Sequence, residues 1–241
     1  MSAKKSKSKA APSEIKSIKS GYFQLILAFL AFLLYAGTLS HEYAQDDDIY
    51  TRKNTYVQQG ISSFPKLISQ GSLVGFDGTN VADYRPLVLV TFALEKSLFG
   101  NSPKAGHFIN ILLYIVCSLV LFALCKKLFR SYPPYLSFLI TLLFVVHPIH
   151  TEVVANIKSR DELLCFLFGV MSLNYGLSYA INKNVTLLVV SAISFFAALL
   201  CKENGFAYLV LLPVSLYFFT ELSIKKIALL TSVFLLVAGL N

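Results

Sequence analysis

Three adjacent aspartates, Asp46, Asp47 and Asp48, follow the first hydrophobic segment of a chain whose formal net charge is +8. Neighbouring carboxylates repel one another, so the pKa of at least one of them is expected to be raised. A carboxylate with raised basicity at the edge of a membrane is a candidate proton acceptor for a hydroxyl group. The structural alternative for the same triplet is a hydrated acidic turn.

A second group of polar residues lies between two later hydrophobic segments. If a helix begins at Pro148, then Glu152, Asn156 and Arg160 fall on one face of that helix. Ionisable side chains at membrane depth usually face a cavity or a partner. The alternative is a helix that is stabilised by an internal pair between Glu152 and Arg160.

Three connections between hydrophobic segments mix cations with carboxylates, and the third is the short connection that holds Lys202 and Glu203. This mixture suits a substrate that is part lipid and part anion. The membrane would hold the lipid tail, the cations would bind a phosphate, and a carboxylate would act on a hydroxyl.

The histidines give only a weak metal signal. His147 and His150 are three residues apart, but no further ligands accompany them at a typical spacing, and rings at the membrane interface explain them equally well. The sequence supplies no complete set of metal ligands, so no cofactor is assigned. A divalent ion such as Mg²⁺ or Mn²⁺ is left open, with Asp46, Asp48 and His150 as candidate ligands.

The elements that must position these residues are membrane helices. Of the 241 residues 56% are hydrophobic and 14% are charged, which is too apolar for a soluble domain. A helix needs about 20 apolar residues to cross a hydrocarbon core of about 30 Å. We predict an all-α integral membrane protein, a polytopic helical bundle of about six to seven spans. The predicted spans are residues 22–39, 107–125, 135–147, 162–180, 186–201 and 206–220, with a seventh from about 226.

Charge asymmetry predicts the orientation of the bundle. If the N-terminus is cytoplasmic, 12 of the 21 Lys and Arg residues lie on the inner side, opposed there by two carboxylates. This is the bias that the positive-inside rule requires, and it explains the basic charge without nucleic acid as a partner. The three polar connections then lie on the periplasmic, extracellular or lumenal face.

The chain divides into residues 1–21, a basic cytoplasmic tail, and residues 22–241, a polytopic membrane domain. The last apolar run reaches the end of the chain without a polar cap, so we expect a truncated C-terminus. The outer loop 40–106 contains the acidic triplet. Patterns at 55–69 and 86–99 predict amphipathic helices within this loop that lie in the membrane interface.

Several segments in order along the chain resemble transmembrane O-mannosyltransferases that carry tetratricopeptide repeats. Asp46-Asp47 matches an acidic pair in the first outer loop of that family, whereas the third aspartate and the segment 156–159 depart from its pattern. The other matching segments are 84–87, 106–113, 147–154, 159–164 and 200–205.

This resemblance implies a class C glycosyltransferase fold and a sugar donor, with mannose as the sugar, that is linked to a polyprenyl phosphate. The acceptor would be a Ser or Thr hydroxyl of a protein or another glycan acceptor, and membrane lipid would surround the enzyme. Because a polyprenyl phosphate leaves as an anion, one base suffices and the anomeric carbon is inverted.

We therefore predict Asp46 or Asp47 as the catalytic base. Glu152 would orient Arg160 or contact the sugar. The predicted substrate and phosphate contacts are Arg85, Glu152, Lys158, Arg160 and Lys202. Two alternatives remain open, a transporter or flippase of lipid-linked sugars and a non-catalytic membrane scaffold. Transporters usually bury such charges near the midplane of the membrane, whereas here they cluster at one face.

Overall fold

A computed structural model describes residues 20–44, 46–78 and 84–239. All regular structure within these ranges is helical, which confirms the predicted all-α class. Most of the basic tail 1–21 lies outside the described residues.

The long helices form the body of the protein. Their bounds are α1 Ser20–Tyr35, α6 Pro86–Phe99, α7 Pro103–Leu128, α8 Pro134–Val145, α10 Arg160–Asn182, α11 Val185–Leu199, α12 Ala207–Phe219 and α13 Ile224–Ala238.

Short helices cover one end of this body and link the long ones. The α-helices are α2 Asp47–Tyr50, α3 Thr55–Gln58, α4 Phe64–Ser69, α5 Val74–Asp77 and α9 His150–Ala155, and the 3₁₀ helices are Ala36–Ser40, Gly60–Ser63 and Glu203–Phe206.

Local sequence signals explain where several helices begin. Pro103 opens α7, and the Ser102 hydroxyl accepts a hydrogen bond from the Ala105 amide, 3.3 Å away. Asn184 caps α11 in the same way, because its side chain accepts from the Thr186 amide at 2.9 Å. Such caps satisfy backbone donors that have no partner within the helix.

The central helix of the bundle is α10, which packs against α7, α11 and α12. Two glycines allow this close packing. At Gly169 an added Cβ would lie 1.9 Å from the Tyr208 ring, and at Gly176 it would lie 2.6 Å from a Leu212 methyl group. Small residues at helix interfaces are the usual means of close packing in membranes.

Three helical segments are long and apolar enough to cross a membrane: Ser20–Ser40, Pro103–Leu128 and Arg160–Asn182. Shorter apolar helices occupy the third, fifth and sixth predicted spans. The shortest, α8, has 12 residues because prolines bound it on both sides, and its length of about 18 Å is less than the hydrocarbon core. These findings support an integral membrane protein.

The loop helices match the sequence prediction in one case and differ in the other. The helix expected at 86–99 is α6, with the same bounds. The helix expected at 55–69 is divided into α3, a 3₁₀ turn and α4, because Gly60 has a φ of +67°. A Cβ at Gly60 would lie 2.3 Å from the Ser97 hydroxyl, so a glycine allows this turn to pack against α6.

Candidate functional site

The three aspartates of the acidic turn Asp46–Asp48 have three different environments. Asp46 is exposed and Asp47 is completely buried. Asp47 accepts two backbone hydrogen bonds, one at Oδ2 from the Ala44 amide at 2.9 Å and one at Oδ1 from the Lys158 amide at 2.7 Å. Asp47 therefore anchors the acidic turn to the connection that precedes α10.

Asp48 forms an ion pair with Arg52 through two hydrogen bonds of 2.6 and 2.8 Å. The hydrogen bond from Arg52 lowers the pKa of Asp48. Burial raises the pKa of Asp47, although its two backbone hydrogen bonds act in the opposite direction. The triplet thus contains a carboxyl with a raised pKa, but burial and not repulsion within the triplet is the main cause.

A cation cluster surrounds Asp161 at the start of α10, and its cations are Arg85, Lys158 and Lys202. An Arg85 guanidinium nitrogen donates a very short hydrogen bond to the Asp161 carboxylate. The same carboxylate oxygen lies 3.6 Å from the Lys202 Nζ and 3.8 Å from the Lys158 Nζ. The Asp161 side chain is only 2% exposed, whereas the side chains of its three partners are 13 to 21% exposed.

Two further carboxylates border the cation cluster. Glu162 accepts a 2.7 Å hydrogen bond from the Lys202 Nζ, and Glu203 lies 3.3 Å from Arg85. Burial lowers the pKa of Lys202, but the bond to Glu162 and the charge of Asp161 outweigh it, so the net direction is upward. The Glu203 contact is the weaker one, because it is long and Glu203 is 65% exposed. Glu203 is therefore the carboxylate that an incoming anion would displace most easily from Arg85.

Arg160 does not belong to the cation cluster, and its expected phosphate contact is wrong for this structure. The side chain is fully buried and lies over the Phe92 ring, 4.4 Å from its centroid. Its Nη2 donates to Glu95 at 2.6 Å and its Nε donates to Asn110 at 3.0 Å. A buried guanidinium with these partners cannot reach a phosphate at the surface.

The expected helix from Pro148 through Arg160 is also wrong. The helix α9 ends at Ala155, Asn156 has an extended conformation with φ −97° and ψ 120°, and α10 begins only at Arg160. The Asn156 side chain accepts from the Lys158 amide at 3.0 Å, which stabilises a turn in place of a helix. Glu152 is therefore exposed on α9 and does not pair with Arg160.

The candidate metal ligands are not brought together. His150 packs against Phe144, with ring centroids 4.2 Å apart, and burial together with the neighbouring His147 lowers its pKa. Asp48 is paired with Arg52. Within the part of the chain that the structure describes, no group of three His, Cys, Asp or Glu residues has an arrangement for a metal ion.

Three residues that organise the site were not predicted from the sequence: Asp161, Glu95 and Asn110. Asp161 had a signal, because it directly follows Lys158 and Arg160 in the sequence. Glu95 is a buried acid on the apolar face of α6, and Asn110 is a buried amide in a long apolar helix. Such positions usually carry a specific partner, but the sequence does not identify that partner.

Lys158 joins the two halves of the site. Its backbone amide binds Asp47, and its side chain lies beside Asp161. The Lys158 Nζ also lies over the Tyr50 ring, 5.6 Å from the centroid. One residue thus connects the acidic turn with the cation cluster.

The comparisons with known proteins are consistent across most of the chain. The model of the dolichyl-phosphate-mannose-protein mannosyltransferase family matches residues 83–240. Human protein O-mannosyl-transferase TMTC1 is 34% identical over 196 residues, which are 75% of this chain and 22% of that protein. Mouse protein O-mannosyl-transferase TMTC4 is 30% identical over 232 residues, which are 87% of this chain and 31% of that protein.

Drosophila melanogaster protein O-mannosyl-transferase Tmtc1 is 29% identical over 191 residues, which are 76% of this chain and 21% of that protein. No solved structure gives a significant match. The chain spans about a fifth to a third of the length of these curated relatives. The family match covers well over half of the chain, and the chain belongs to the dolichyl-phosphate-mannose-protein mannosyltransferase family.

Proposed function

We propose that this chain contributes the catalytic face of a protein O-mannosyltransferase. The enzyme transfers mannose from dolichyl-phosphate mannose to a Ser or Thr hydroxyl on the lumenal or outer side of the membrane. The observation that carries this proposal is the meeting of an acidic turn with a cation cluster through Lys158, in a chain of this family. Family membership also favours transfer over transport of lipid-linked sugars.

Asp46 is the proposed base. A base must touch the acceptor hydroxyl, and Asp46 is the exposed member of the pair, whereas Asp47 is buried and both of its oxygens accept backbone hydrogen bonds. Asp48 is a poor candidate because its ion pair with Arg52 stabilises the charged form. Asp47 then serves to hold Asp46 in place.

The phosphate of the donor would bind at Arg85, Lys158 and Lys202. These cations come from three different connections, and their partly exposed side chains surround one buried carboxylate. A phosphate that displaces Glu203 from Arg85 would gain a planar guanidinium contact and lose only a long, exposed ion pair. Asp161 would keep the three cations close together despite their mutual repulsion.

The reaction then needs a single proton transfer. Asp46 removes the proton of the acceptor hydroxyl while the hydroxyl oxygen attacks the anomeric carbon of mannose. The bond from that carbon to the phosphate oxygen breaks, and dolichyl phosphate leaves as an anion whose charge the cation cluster stabilises. The new glycosidic bond has the inverted configuration.

The test of this function is transfer by the full-length protein in membranes. With radiolabelled dolichyl-phosphate mannose and a Ser/Thr-rich acceptor peptide, we expect labelled peptide with inverted linkage. The same assay with dolichyl-phosphate glucose serves as the donor control. Labelled peptide from neither donor, at a protein level that immunoblotting confirms, would contradict the proposal.

The donor site has its own test. Lys202→Gln should raise the KM for dolichyl-phosphate mannose roughly tenfold or more, because a charge-assisted phosphate contact is lost. Lys66→Gln, on an exposed part of α4, is the matched control and should leave the KM within about twofold. An unchanged KM in Lys202→Gln would exclude the cation cluster as the phosphate site.

A further inference from the structure

A buried hydrogen-bond network joins three helices directly beneath the connection 156–159. Its members are Glu95 on α6, Asn110 on α7 and Arg160 on α10, and each is at most 5% exposed. Arg160 is the centre, since it donates to both Glu95 and Asn110 and also to the Gly106 carbonyl at 3.3 Å. Gly106 leaves room for Ile157 and Glu95 beside α7, because a Cβ there would lie 2.9 Å from a methyl group of Ile157 and 3.1 Å from a carboxylate oxygen of Glu95.

Asn110 also binds the connection itself. Its Nδ2 donates to the carbonyl oxygens of Asn156 at 3.0 Å and Ile157 at 3.4 Å. The Ile157 carbonyl and the Lys158 amide belong to one planar trans peptide unit, so they point in opposite directions. Asn110 therefore holds one edge of this peptide, and Asp47 accepts from the other edge at 2.7 Å.

We propose that Asn110 is a positioning residue for the transfer reaction. Asn110 holds the 157–158 peptide, this peptide holds Asp47, and Asp47 in turn positions the carboxylate of Asp46. This inference rests on the proposed function and adds to it residues that never touch the substrate. Arg160 and Glu95 act with Asn110, because they fix the orientation of its amide: the Arg160 Nε must donate to the oxygen, which leaves the nitrogen for the connection.

The arrangement connects the two halves of the site. The peptide that Asn110 holds leads directly to the Lys158 side chain, which lies in the cation cluster. A shift of this peptide would move the acidic turn and Lys158 together with respect to the bundle. A displacement of about 1 Å in a catalytic arrangement can cost roughly 100-fold in rate.

Asn110→Asp is the diagnostic variant, because it keeps the size of the side chain and the acceptor for Arg160 but removes the amide donor. We expect kcat to fall roughly tenfold or more, and the KM for dolichyl-phosphate mannose to rise as well, because the same peptide carries Lys158 of the cation cluster. Asn174→Asp is the matched control. Asn174 also joins α10 to α7, through an amide donor to the Val120 carbonyl at 3.2 Å, but it lies far along α10 from the site.

A double variant with Asp47 distinguishes a positioning role of Asn110 from a general effect on stability. In an Asp47→Ala background, adding Asn110→Asp should lower kcat by less than about twofold, because the acceptor of the Lys158 amide is already removed. Transfer and thermal unfolding are measured on the same detergent-solubilised protein, and Asn110→Ser replaces Asn110→Asp if the latter does not accumulate. A full multiplicative loss in the double variant, or an unchanged kcat in the single variant, would overturn the inference.

Mannose transfer by the wild-type protein and by Asp46→Asn tests the proposed function independently of Asn110. If wild-type protein transfers no mannose, or if Asp46→Asn keeps full activity, the proposed function or its base is wrong. If both of those expectations hold and Asn110→Asp retains wild-type kcat, only the positioning inference is wrong.

Discussion

At the scale of single residues, the neighbouring cations Lys158 and Arg160 have different environments. Lys158 stays at the rim of the site, whereas Arg160 is buried against Glu95. The sequence predicted that these residue types collect near the acidic turn, because charged residues in an apolar chain need partners. It could not predict which cation is buried, since the partner of Arg160 lies 65 residues away on α6.

The buried pair predicts a large stability effect. Glu95→Gln leaves the Arg160 charge without its counter-ion, and breaking a buried pair in this way costs about 3–5 kcal/mol. We expect a matching loss in thermal or denaturant unfolding of the solubilised protein. Replacing both partners, as in Glu95→Gln with Arg160→Met, should recover part of that loss. Equal stability of Glu95→Gln and wild type would show that the pair does not carry a buried charge.

Asp47 predicts a pH dependence of stability. Because its folded pKa is raised, the native protein binds a proton at a higher pH than the unfolded chain does. The contribution of this group to stability is therefore greatest at low pH and is lost as the pH rises from about 4, the ordinary aspartate value, through the raised pKa.

Asp47→Asn removes this titration. The melting temperature of wild type minus that of Asp47→Asn should therefore fall as the pH rises from about 4 towards neutrality. Thermal unfolding of both proteins across this range measures the difference. A difference that is constant, or that grows with pH, would contradict the burial of this carboxyl.

At the scale of elements, the positions where helices break determine the site more than the helices themselves do. The position of Pro86 predicted the start of α6 well, but the turn at Gly60 and the extended Asn156 were not foreseen. Both breaks have distant partners beside their local contacts: Ser97 packs at Gly60, and Asn110 binds the Asn156 carbonyl. Periodicity along the chain carries no information about such contacts.

Close packing of α10 on α12 gives a prediction at this scale. Gly169→Ala places a methyl group where the Tyr208 ring now lies, so we expect overpacking and a loss of about 1–3 kcal/mol in unfolding free energy. Gly21→Ala is the control, because no atom lies within 4 Å of a Cβ built there. Combining Gly169→Ala with Tyr208→Leu should restore stability in part. An unchanged unfolding free energy in Gly169→Ala would mean that Tyr208 of α12 does not pack against Gly169.

At the scale of the whole molecule, the polar connections converge although they are far apart in sequence. Hydropathy predicted the class, and charge types predicted three connections with mixed charges. Only the packing of α6, α10 and α11 shows that Asp161 gathers cations from these three connections. Lys158 links this cluster to the acidic turn, an arrangement that no local pattern encodes.

Asp46 is proposed to take the proton of the acceptor hydroxyl. The most direct measurement is the kcat for mannose transfer by Asp46→Asn in full-length protein, with Asp77→Asn, at an exposed residue of α5, as control. The claim predicts a loss of about 10²- to 10⁴-fold for Asp46→Asn, at an unchanged donor KM and an unchanged melting temperature, and less than about twofold for the control. A kcat for Asp46→Asn within about twofold of wild type would contradict it.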